Sequence, residues 1–214
     1  MKGKGAPHRY RVPSAMVRSE TTVRDSIFIG TVTHAPSEQV AREFVEDVQA
    51  GYSDANHNAW AYRISQSPGE IFASSDDGEP GGTAGRPMLA VLKGSGLLEV
   101  AAVVTRYFGG TKLGTGGLVR AYGNAVREAL EALPTKERIL HRVARITVDY
   151  ALYNDLRHLF PRYDVTVQGE TFGEDATLKI AVPYDRAEKL TTFLRDATAG
   201  RLCLGDAWMG ETYL

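Results

Sequence analysis

The spacing of apolar positions in the first half of the chain predicts strands and helices in turn. The β-branched and aromatic segment 23–33 predicts a strand. Val40, Phe44 and Val48 then recur every four residues, which predicts one face of a helix that ends before Gly51. The chain therefore begins its folded part with a strand followed by a helix.

A second pattern predicts a hairpin. Trp60, Tyr62 and Ile64 alternate with other residues, as expected of a half-buried strand. Segment 71–73 is the expected partner strand, across a turn at Ser67-Pro68-Gly69.

The most apolar run, 100–104, predicts a strand that is buried on both faces. A helix is predicted from about Gly116 to Pro134, because proline ends a helix and the apolar residues between these positions share one face. Those residues are Leu118, Tyr122, Ala125, Val126, Ala129, Leu130 and Leu133. The first domain is expected to span 20–134.

Two polar segments lack a periodic apolar pattern. Segment 1–19 predicts a flexible basic tail, since it has five cations and no acid. The cations are Lys2, Lys4, Arg9, Arg11 and Arg18. Segment 135–142 is interpreted as a linker because it is polar and basic, with Lys136, Arg138, His141 and Arg142.

The last part of the chain, 143–214, predicts a small domain of its own. Three stretches alternate as strands do: Ile146/Val148/Tyr150, Tyr163/Val165/Val167 and Leu178/Ile180/Val182. A helix is predicted over 152–160 and another after Asp185, which has Glu188 at capping-box spacing, and a last strand is predicted near 205–209. The order strand, helix, strand, strand, helix, strand is the ferredoxin-like βαββαβ order.

Composition narrows the class of protein. With 214 residues, 43% hydrophobic and 24% charged, the chain can fill a core, and a net charge of −1 excludes a uniformly basic nucleic-acid binder but allows a local basic patch. Cys203 is the only cysteine, so an intramolecular disulfide and a cysteine zinc site are excluded. No apolar run approaches bilayer length and Met1–Pro13 has no apolar signal core. We expect a cytoplasmic protein with no membrane contact, metal or cofactor; its oligomeric state is open.

Glycine is concentrated in segment 78–123, which holds 12 of the 22 glycines. Segment 109–117 reads GGTKLGTGG and lacks the Gly-Lys-Ser/Thr of a phosphate loop, while Val119 stands where a dinucleotide motif needs its third glycine. Both nucleotide sites are therefore disfavoured. The glycines that would instead allow close backbone approach are Gly78, Gly82, Gly85, Gly109, Gly110, Gly114, Gly116 and Gly117.

The acidic segment 74–80 allows two interpretations. Its carboxylates could bind a hard cation, although the spacing is not that of a calcium loop, or they could bond the backbone of their own turn near a helix that starts around Thr83. His57, Asp76, Asp77 and Glu79 would be the catalytic residues of a metal-assisted or acid/base hydrolase. The Gly-x-Ser-x-Gly elbow of serine hydrolases is missing.

Segment 84–120 is locally basic, with five cations and the single acid Glu99. Arg86, Arg106, Lys112 and Arg120 are the candidate phosphate contacts, and Tyr107 or Phe108 would stack on a base if exposed. In the competing interpretation the aromatic rings lie in the core, and the arginines are solvated or paired with Asp76, Asp77 and Glu79.

Two long motifs resemble the signature of the IMPACT/YigZ family: DGEPGGTAGRPM at 77–88 and VVTRYFGGTKLGTGGLVRAY at 103–122. Segments 26–29, 54–58 and 60–63 add to the resemblance, which covers about 20–210. Two positions depart from the family pattern, because Ile27 stands where a basic residue is usual and Gly81 where a serine is usual.

The resemblance implies an α/β (α+β) protein. Its N-terminal domain would have the fold of the second domain of ribosomal small-subunit protein five, and its C-terminal domain would be ferredoxin-like. The two halves would also resemble the fourth and fifth domains of elongation factor G, which indicates contact with RNA or the ribosome.

Eukaryotic relatives regulate translation under amino-acid starvation through an additional N-terminal RWD domain, for which 214 residues leave no room. The leading hypothesis is a non-enzymatic translation-associated or stress-regulatory protein that binds RNA or the ribosome. The alternatives are a protein-binding regulator without RNA contact and the hydrolase described above.

Overall fold

The computed structural model describes residues 8–66, 69–205 and 207–214, which form two compact units. Of the described residues, 10–137 belong to the first unit, and 8–9 together with 138–214 belong to the second. The predicted turn residues Ser67 and Pro68 lie outside the described residues, as do residues 1–7 of the predicted tail.

The first unit is built on a five-stranded antiparallel sheet with three helices. The elements of this part of the chain are β1 (Arg9–Pro13), β2 (Val17–Val23), β3 (Ser26–His34), α1 (Glu38–Gly51), β4 (His57–Gln66), β5 (Gly69–Ser75), α2 (Gly85–Gly94), β6 (Val100–Tyr107) and α3 (Gly114–Glu131). The strand order is β2-β3-β6-β4-β5, so β6 is central.

The central strand β6 is buried from Val100 to Arg106, which confirms the prediction of a strand covered on both faces. On one face Val104 packs in the same core cluster as residues of α2 and α3, such as Met88 and Tyr122. On the other face Val103 clusters with Val45 of α1. Helices on both faces explain why this strand has no polar alternation.

The predicted basic tail is wrong for its described part. Arg9–Pro13 and Val17–Val23 are strands β1 and β2 rather than irregular chain. β2 pairs with β3 through a two-residue turn in which Arg24 has φ 46° and Asp25 has φ 64°. Positive φ at both positions is the geometry of a type I′ turn, whose twist matches that of paired strands.

The second unit contains the ferredoxin-like order that the sequence predicted. Its elements are β7 (Thr135–Val148), α4 (Tyr150–Leu159), a 3₁₀ helix (Phe160–Tyr163), β8 (Thr166–Phe172), β9 (Ala176–Pro183), α5 (Tyr184–Ala197) and β10 (Trp208–Tyr213). The antiparallel pairs of this unit give the strand order β10-β7-β9-β8.

Four local predictions in this part are wrong. The expected linker 135–142 is the first half of β7, a single continuous strand. Tyr150 begins α4, and Tyr163 lies in the 3₁₀ helix rather than in a strand. Asp185 does not cap α5, because the helix starts at Tyr184 and its N-cap is Pro183.

Alternate residues of β7 and β9 point to the helices of this unit. Ile146 and Leu178 pack with Leu156 of α4 and Leu190 of α5 in one core cluster. Among the described helices of the chain, none is both long enough and apolar enough to cross a bilayer.

Candidate functional site

The acidic loop, defined here as residues 76–84, folds around the carboxylate of Asp76. This carboxylate accepts hydrogen bonds from the backbone N–H groups of Gly82 at 2.7 Å, Ala84 at 2.9 Å and Gly85 at 2.8 Å. The N-cap of α2, Ala84, has no side chain that could accept these bonds. Asp76 therefore satisfies the free N–H groups at the start of α2 and places a negative charge at the positive end of the helix dipole.

The same contacts determine the charge of Asp76. Partial burial raises the pKa of its carboxyl, but the backbone bonds from Gly82, Ala84 and Gly85 and the charge of Arg86 lower the pKa by more. The net pKa lies below the ordinary value, so Asp76 is ionised at neutral pH. This geometry agrees with the interpretation of the segment as a turn that bonds its own backbone.

Asp77 and His57 hold the loop against the start of β4. Asp77 Oδ2 accepts the backbone N–H of Asn58 at 2.6 Å, and its carbonyl oxygen lies 2.7 Å from Nδ1 of His57. A carbonyl oxygen only accepts hydrogen bonds, so Nδ1 carries the proton. The other ring nitrogen of His57, Nε2, lies 3.9 Å from Oε1 of Glu79.

Glu79 lies at the centre of a buried polar cluster. Its Oε1 accepts hydrogen bonds from Nη1 of Arg106 at 2.6 Å and from the hydroxyl of Tyr122 at 2.8 Å. Burial, followed by the nearby charge of Glu79, raises the pKa of Tyr122 above its ordinary value, so the hydroxyl stays protonated and donates. The cluster ties the acidic loop to β6 and α3.

The structure corrects the role expected of Arg106. Only 5% of this residue is exposed, and its guanidinium is paired with Glu79 rather than directed to solvent. The rings of Phe28 and Phe108 lie 5.4 Å from its Cζ. Arg106 is therefore not available to an external phosphate, and for this residue the paired interpretation holds.

The glycine loop, residues 108–116, leads from β6 into α3 and is largely exposed. Phe108 is 44% exposed, and its backbone N–H donates to Oδ1 of Asn56 at 2.7 Å. Tyr107 is half-buried, and its hydroxyl donates to Oδ1 of Asp54 at 2.8 Å. Of the two aromatic candidates, Phe108 has the more accessible ring.

Two glycines of the motifs are required by close backbone contacts. A Cβ atom on Gly109 would lie 2.0 Å from the carbonyl carbon and oxygen of Asp25, and one on Gly85 would lie 2.8 Å from the backbone of Ser75. Gly109 also donates its N–H to Oγ of Ser26 at 3.1 Å. The glycine loop is thereby seated on the β2–β3 turn.

The cationic surface, defined here as Arg24, Lys112 and Arg120, lies where the glycine loop enters α3. All three side chains are exposed, and within the described part of the chain no acidic side chain forms an ion pair with any of them. Arg24 and Arg120 line a cleft of about 230 Å³ together with Leu113, Gly117 and Asn124. Arg86 is also exposed, at the start of α2.

Arg24 was missed by sequence reasoning. The segment around it was taken as one strand, and Arg-Asp is not a typical type I′ pair, so the turn was not recognised. The polar residues between Val23 and Ser26 were the only available signal.

The three acids of the hydrolase alternative already have hydrogen-bond partners within the chain. Asp76 and Asp77 are bonded to backbone N–H groups, and Glu79 is bonded to Arg106 and Tyr122. Across residues 8–66, 69–205 and 207–214, no three His, Cys, Asp or Glu side chains are grouped as metal ligands.

Comparison with known proteins identifies the family. The model of the Impact N-terminal domain matches residues 24–130, and a domain of unknown function, DUF1949, matches 146–201. An IMPACT family member from Haemophilus influenzae is 34% identical over 203 residues, covering 94% of this chain and 98% of the relative. This chain belongs to the IMPACT family.

Other relatives of this IMPACT-family chain match over similar lengths. IMPACT family member YigZ from Escherichia coli is 36% identical over 195 residues, covering 90% of this chain and 95% of the relative. A solved structure described as a hypothetical protein has a TM-score of 0.65 at 32% identity and covers 97% of both chains. The family resemblance predicted from the two motifs is confirmed, and both the acidic loop and the glycine loop fall within the matched Impact N-terminal domain.

Proposed function

We propose that this IMPACT-family chain is a translation-associated protein whose first unit binds RNA or the ribosome through the cationic surface. One observation carries the proposal. The acids of the family motifs are turned inward and hydrogen-bonded, whereas Arg24, Lys112 and Arg120 are exposed and unpaired within the described residues. A motif that contains both signs of charge thus presents mainly the positive one to solvent.

The chemistry of the surface suits a phosphate backbone. Lysine and arginine neutralise phosphates, and such contacts position a nucleic acid without reading its sequence. The exposed glycine loop allows the backbone of a partner to approach closely, and the accessible ring of Phe108 can stack on an unpaired base. Arg86 is a further exposed cation next to the acidic loop.

Translation is the process that the family resemblance favours. Eukaryotic relatives regulate translation, and the implied likeness to domains of a ribosomal protein and of an elongation factor indicates the same machinery. The geometry gives no comparable support to a hydrolase, because its carboxylates already accept hydrogen bonds from backbone and side-chain groups of the chain.

Binding to purified ribosomal subunits and ribosomal RNA over a salt series tests the proposal. The variant Lys112→Ala/Arg120→Ala removes two cations of the surface. The control Arg162→Ala/Lys189→Ala removes two exposed cations of the second unit. Counterion release contributes about 0.7 to 0.9 to the salt slope per phosphate contact, so we expect the slope to fall by about 1.4 to 1.8 in the first variant alone.

Two results would overturn the proposal. One is an absence of binding to either probe at low salt, and the other is binding that Lys112→Ala/Arg120→Ala leaves as strong and as salt-dependent as in the control. Salt-insensitive association with a single ribosomal protein would favour a protein-binding regulator.

A further inference from the structure

Part of the sheet of the second unit is exposed on the face opposite α4 and α5, whereas Val143 and Ala181 farther along that face are buried. Residues at even positions of β7 and β9, such as Ile146 and Leu178, pack against α4 and α5. Successive side chains of a strand point to opposite faces, so the odd positions lie on the other side. The open face is defined here as Arg145, Thr147, Gly169, Thr171, Thr177 and Lys179; five of these residues are exposed and Thr177 is half-buried.

Two cations are direct neighbours on the open face. Arg145 of β7 is opposite Lys179 of β9, and the next position across, on β8, is Gly169. Like charges that face each other across a strand pair are destabilising. Neither cation has an acidic partner among the residues that the structure describes. The fold keeps two uncompensated positive charges side by side, and a bound anion would relieve their repulsion.

A row of hydroxyl groups lies beside the cations. Thr147 is opposite Thr177, with 3.0 Å between the two Oγ1 atoms, and Thr171 is opposite Thr177 on the other side. This row is two residues from the cations along each strand, about 6.6 to 6.8 Å. Hydroxyls donate to phosphate oxygens and bond the 2′-OH of ribose.

We propose that the open face binds the sugar-phosphate backbone of single-stranded RNA. Adjacent cations, a row of hydroxyls and a glycine that lets the backbone come close suit a chain of phosphates and riboses. Contacts to phosphates and riboses carry no sequence information, so binding to this face is expected to be independent of base identity. Protein interfaces are usually anchored by aromatic residues together with arginines, and the open face has no aromatic side chain among its six residues.

The inference shares its class of partner with the proposed function but uses different residues on the other unit. Two weak contacts on one chain would reinforce each other if one RNA reached both, since the second contact is then intramolecular. Glu174 and Asp175, both exposed in the β8–β9 turn, bound the open face at the end beyond the hydroxyl row. The RNA is therefore centred on Arg145 and Lys179.

The test measures binding of the full chain to fluorescently labelled oligouridylate over a salt series. The variant Arg145→Ala/Lys179→Ala is compared with the control Arg162→Ala/Lys189→Ala, which makes the same change in net charge elsewhere in the second unit. The loss of two phosphate contacts lowers the salt slope by about 1.4, which corresponds to roughly 25-fold weaker binding at 0.1 M salt. The same loss of affinity is expected for oligoadenylate. Circular dichroism is used to check that each variant is folded.

The outcomes separate this inference from the proposed function. If the salt dependence of binding becomes less steep in Arg145→Ala/Lys179→Ala but not in Lys112→Ala/Arg120→Ala, the RNA contacts lie on the open face. The same result counts against RNA binding by the cationic surface. The reverse result overturns the open face alone. Competition by polyglutamate as effective as that by RNA would also overturn it, in favour of an acidic protein. If the wild-type chain binds ribosomal subunits but no oligouridylate, the inference fails and the proposed function stands.

Discussion

Nη1 of Arg106 lies 2.6 Å from Oε1 of Glu79, and their side chains are only 6% and 3% exposed. This ion pair joins the central strand of the first sheet to the acidic loop. Because both charged groups are almost completely buried, each depends on the other for compensation. The hydroxyl of Tyr122 donates to the same carboxylate oxygen, so the pair also involves α3.

Removing Glu79 is expected to lower the free energy of unfolding far more than breaking an exposed ion pair does. Glu79→Ala leaves the charge of Arg106 buried and unpaired, which typically costs about 3 to 5 kcal/mol in the free energy of unfolding. Urea denaturation measures the loss. The control Arg42→Ala breaks the exposed pair of Arg42 with Glu38 and is expected to change stability little. Similar small losses in both variants would contradict a buried, mutually dependent pair.

Alanine is expected to have opposite effects at two glycines of the same motif. Gly109→Ala forces a Cβ atom into the backbone of Asp25, and we expect a loss of about 1 to 3 kcal/mol, as for an overpacked site. Gly116→Ala has open space around it in the first turn of α3, so we expect a gain of about 0.4 to 1 kcal/mol from the less flexible unfolded chain. Thermal unfolding of the two variants compares them directly. Equal effects of the two substitutions would mean that the close contact between Gly109 and the β2–β3 turn does not require glycine.

The stability contributed by Asp76 is expected to disappear in acid. Its pKa is lower in the folded protein than the ordinary value of 3.8, so its charge stabilises the fold above that pH. As the pH falls through the lowered pKa, the carboxylate is protonated and this contribution is lost. The advantage of the wild type over Asp76→Asn should be largest near neutral pH and should shrink below about pH 4.

Urea titrations between pH 7 and pH 3 measure this difference for Asp76. Asp155→Asn, a change of an exposed aspartate on α4, controls for the altered net charge. A difference between wild type and Asp76→Asn that grows on acidification would show that the carboxylate does not cap α2 as a charged group.

The open face predicts a conflict between stability and binding at Lys179. Lys179→Glu places an acid opposite Arg145, so the unfavourable like-charge pair becomes a favourable one, and we expect stability to rise by up to about 1 kcal/mol. The same variant is expected to bind oligouridylate more weakly than Lys179→Ala does, because it adds repulsion to the loss of a contact. Denaturation and binding measured on one preparation test both parts. Unchanged RNA binding would argue that the two cations serve no ligand.

Periodicity predicted the elements that bury one or both faces. Strand β6 was predicted from five consecutive apolar residues, and α1 and α3 were predicted from apolar positions three or four residues apart. The ferredoxin-like order of the second unit was predicted in the same way. These patterns are strong because burial leaves little freedom in the choice of residue.

The strands that the sequence did not predict contain charged residues, which obscure the alternation of apolar and polar positions. The first three residues of β2, 17–19, were taken as the end of a tail because of Arg18 and its basic surroundings, although half-buried and exposed positions alternate along the whole strand. β7 starts with exposed polar residues, which resembled a linker. Pro161, together with Asp164 in a left-handed conformation, allows a 3₁₀ turn where alternation had predicted a strand at Tyr163.

The sequence predicted which segments form the candidate site but not which of their side chains face solvent. The motifs located the acidic loop and the glycine loop, and the self-bonded turn around Asp76 was one of two interpretations. The inward direction of Arg106 depends on β6 being covered on both faces, since any side chain within such a strand is buried. Only the folded structure brings Arg24 to the candidate site, because the β2–β3 turn that contains it packs against Gly109.

The inward-turned acids of the acidic loop have a practical consequence for ion-exchange and heparin chromatography. By its formal net charge of −1 at pH 7, the protein would not be expected to bind a negatively charged resin. Asp76, Asp77 and Glu79 count in that sum but are hydrogen-bonded to other groups of the chain, whereas Lys112 and Arg120 face solvent. We therefore expect retention on heparin at neutral pH, with earlier elution of Lys112→Ala/Arg120→Ala. For this chain, the isoelectric point does not describe the charge of the cationic surface.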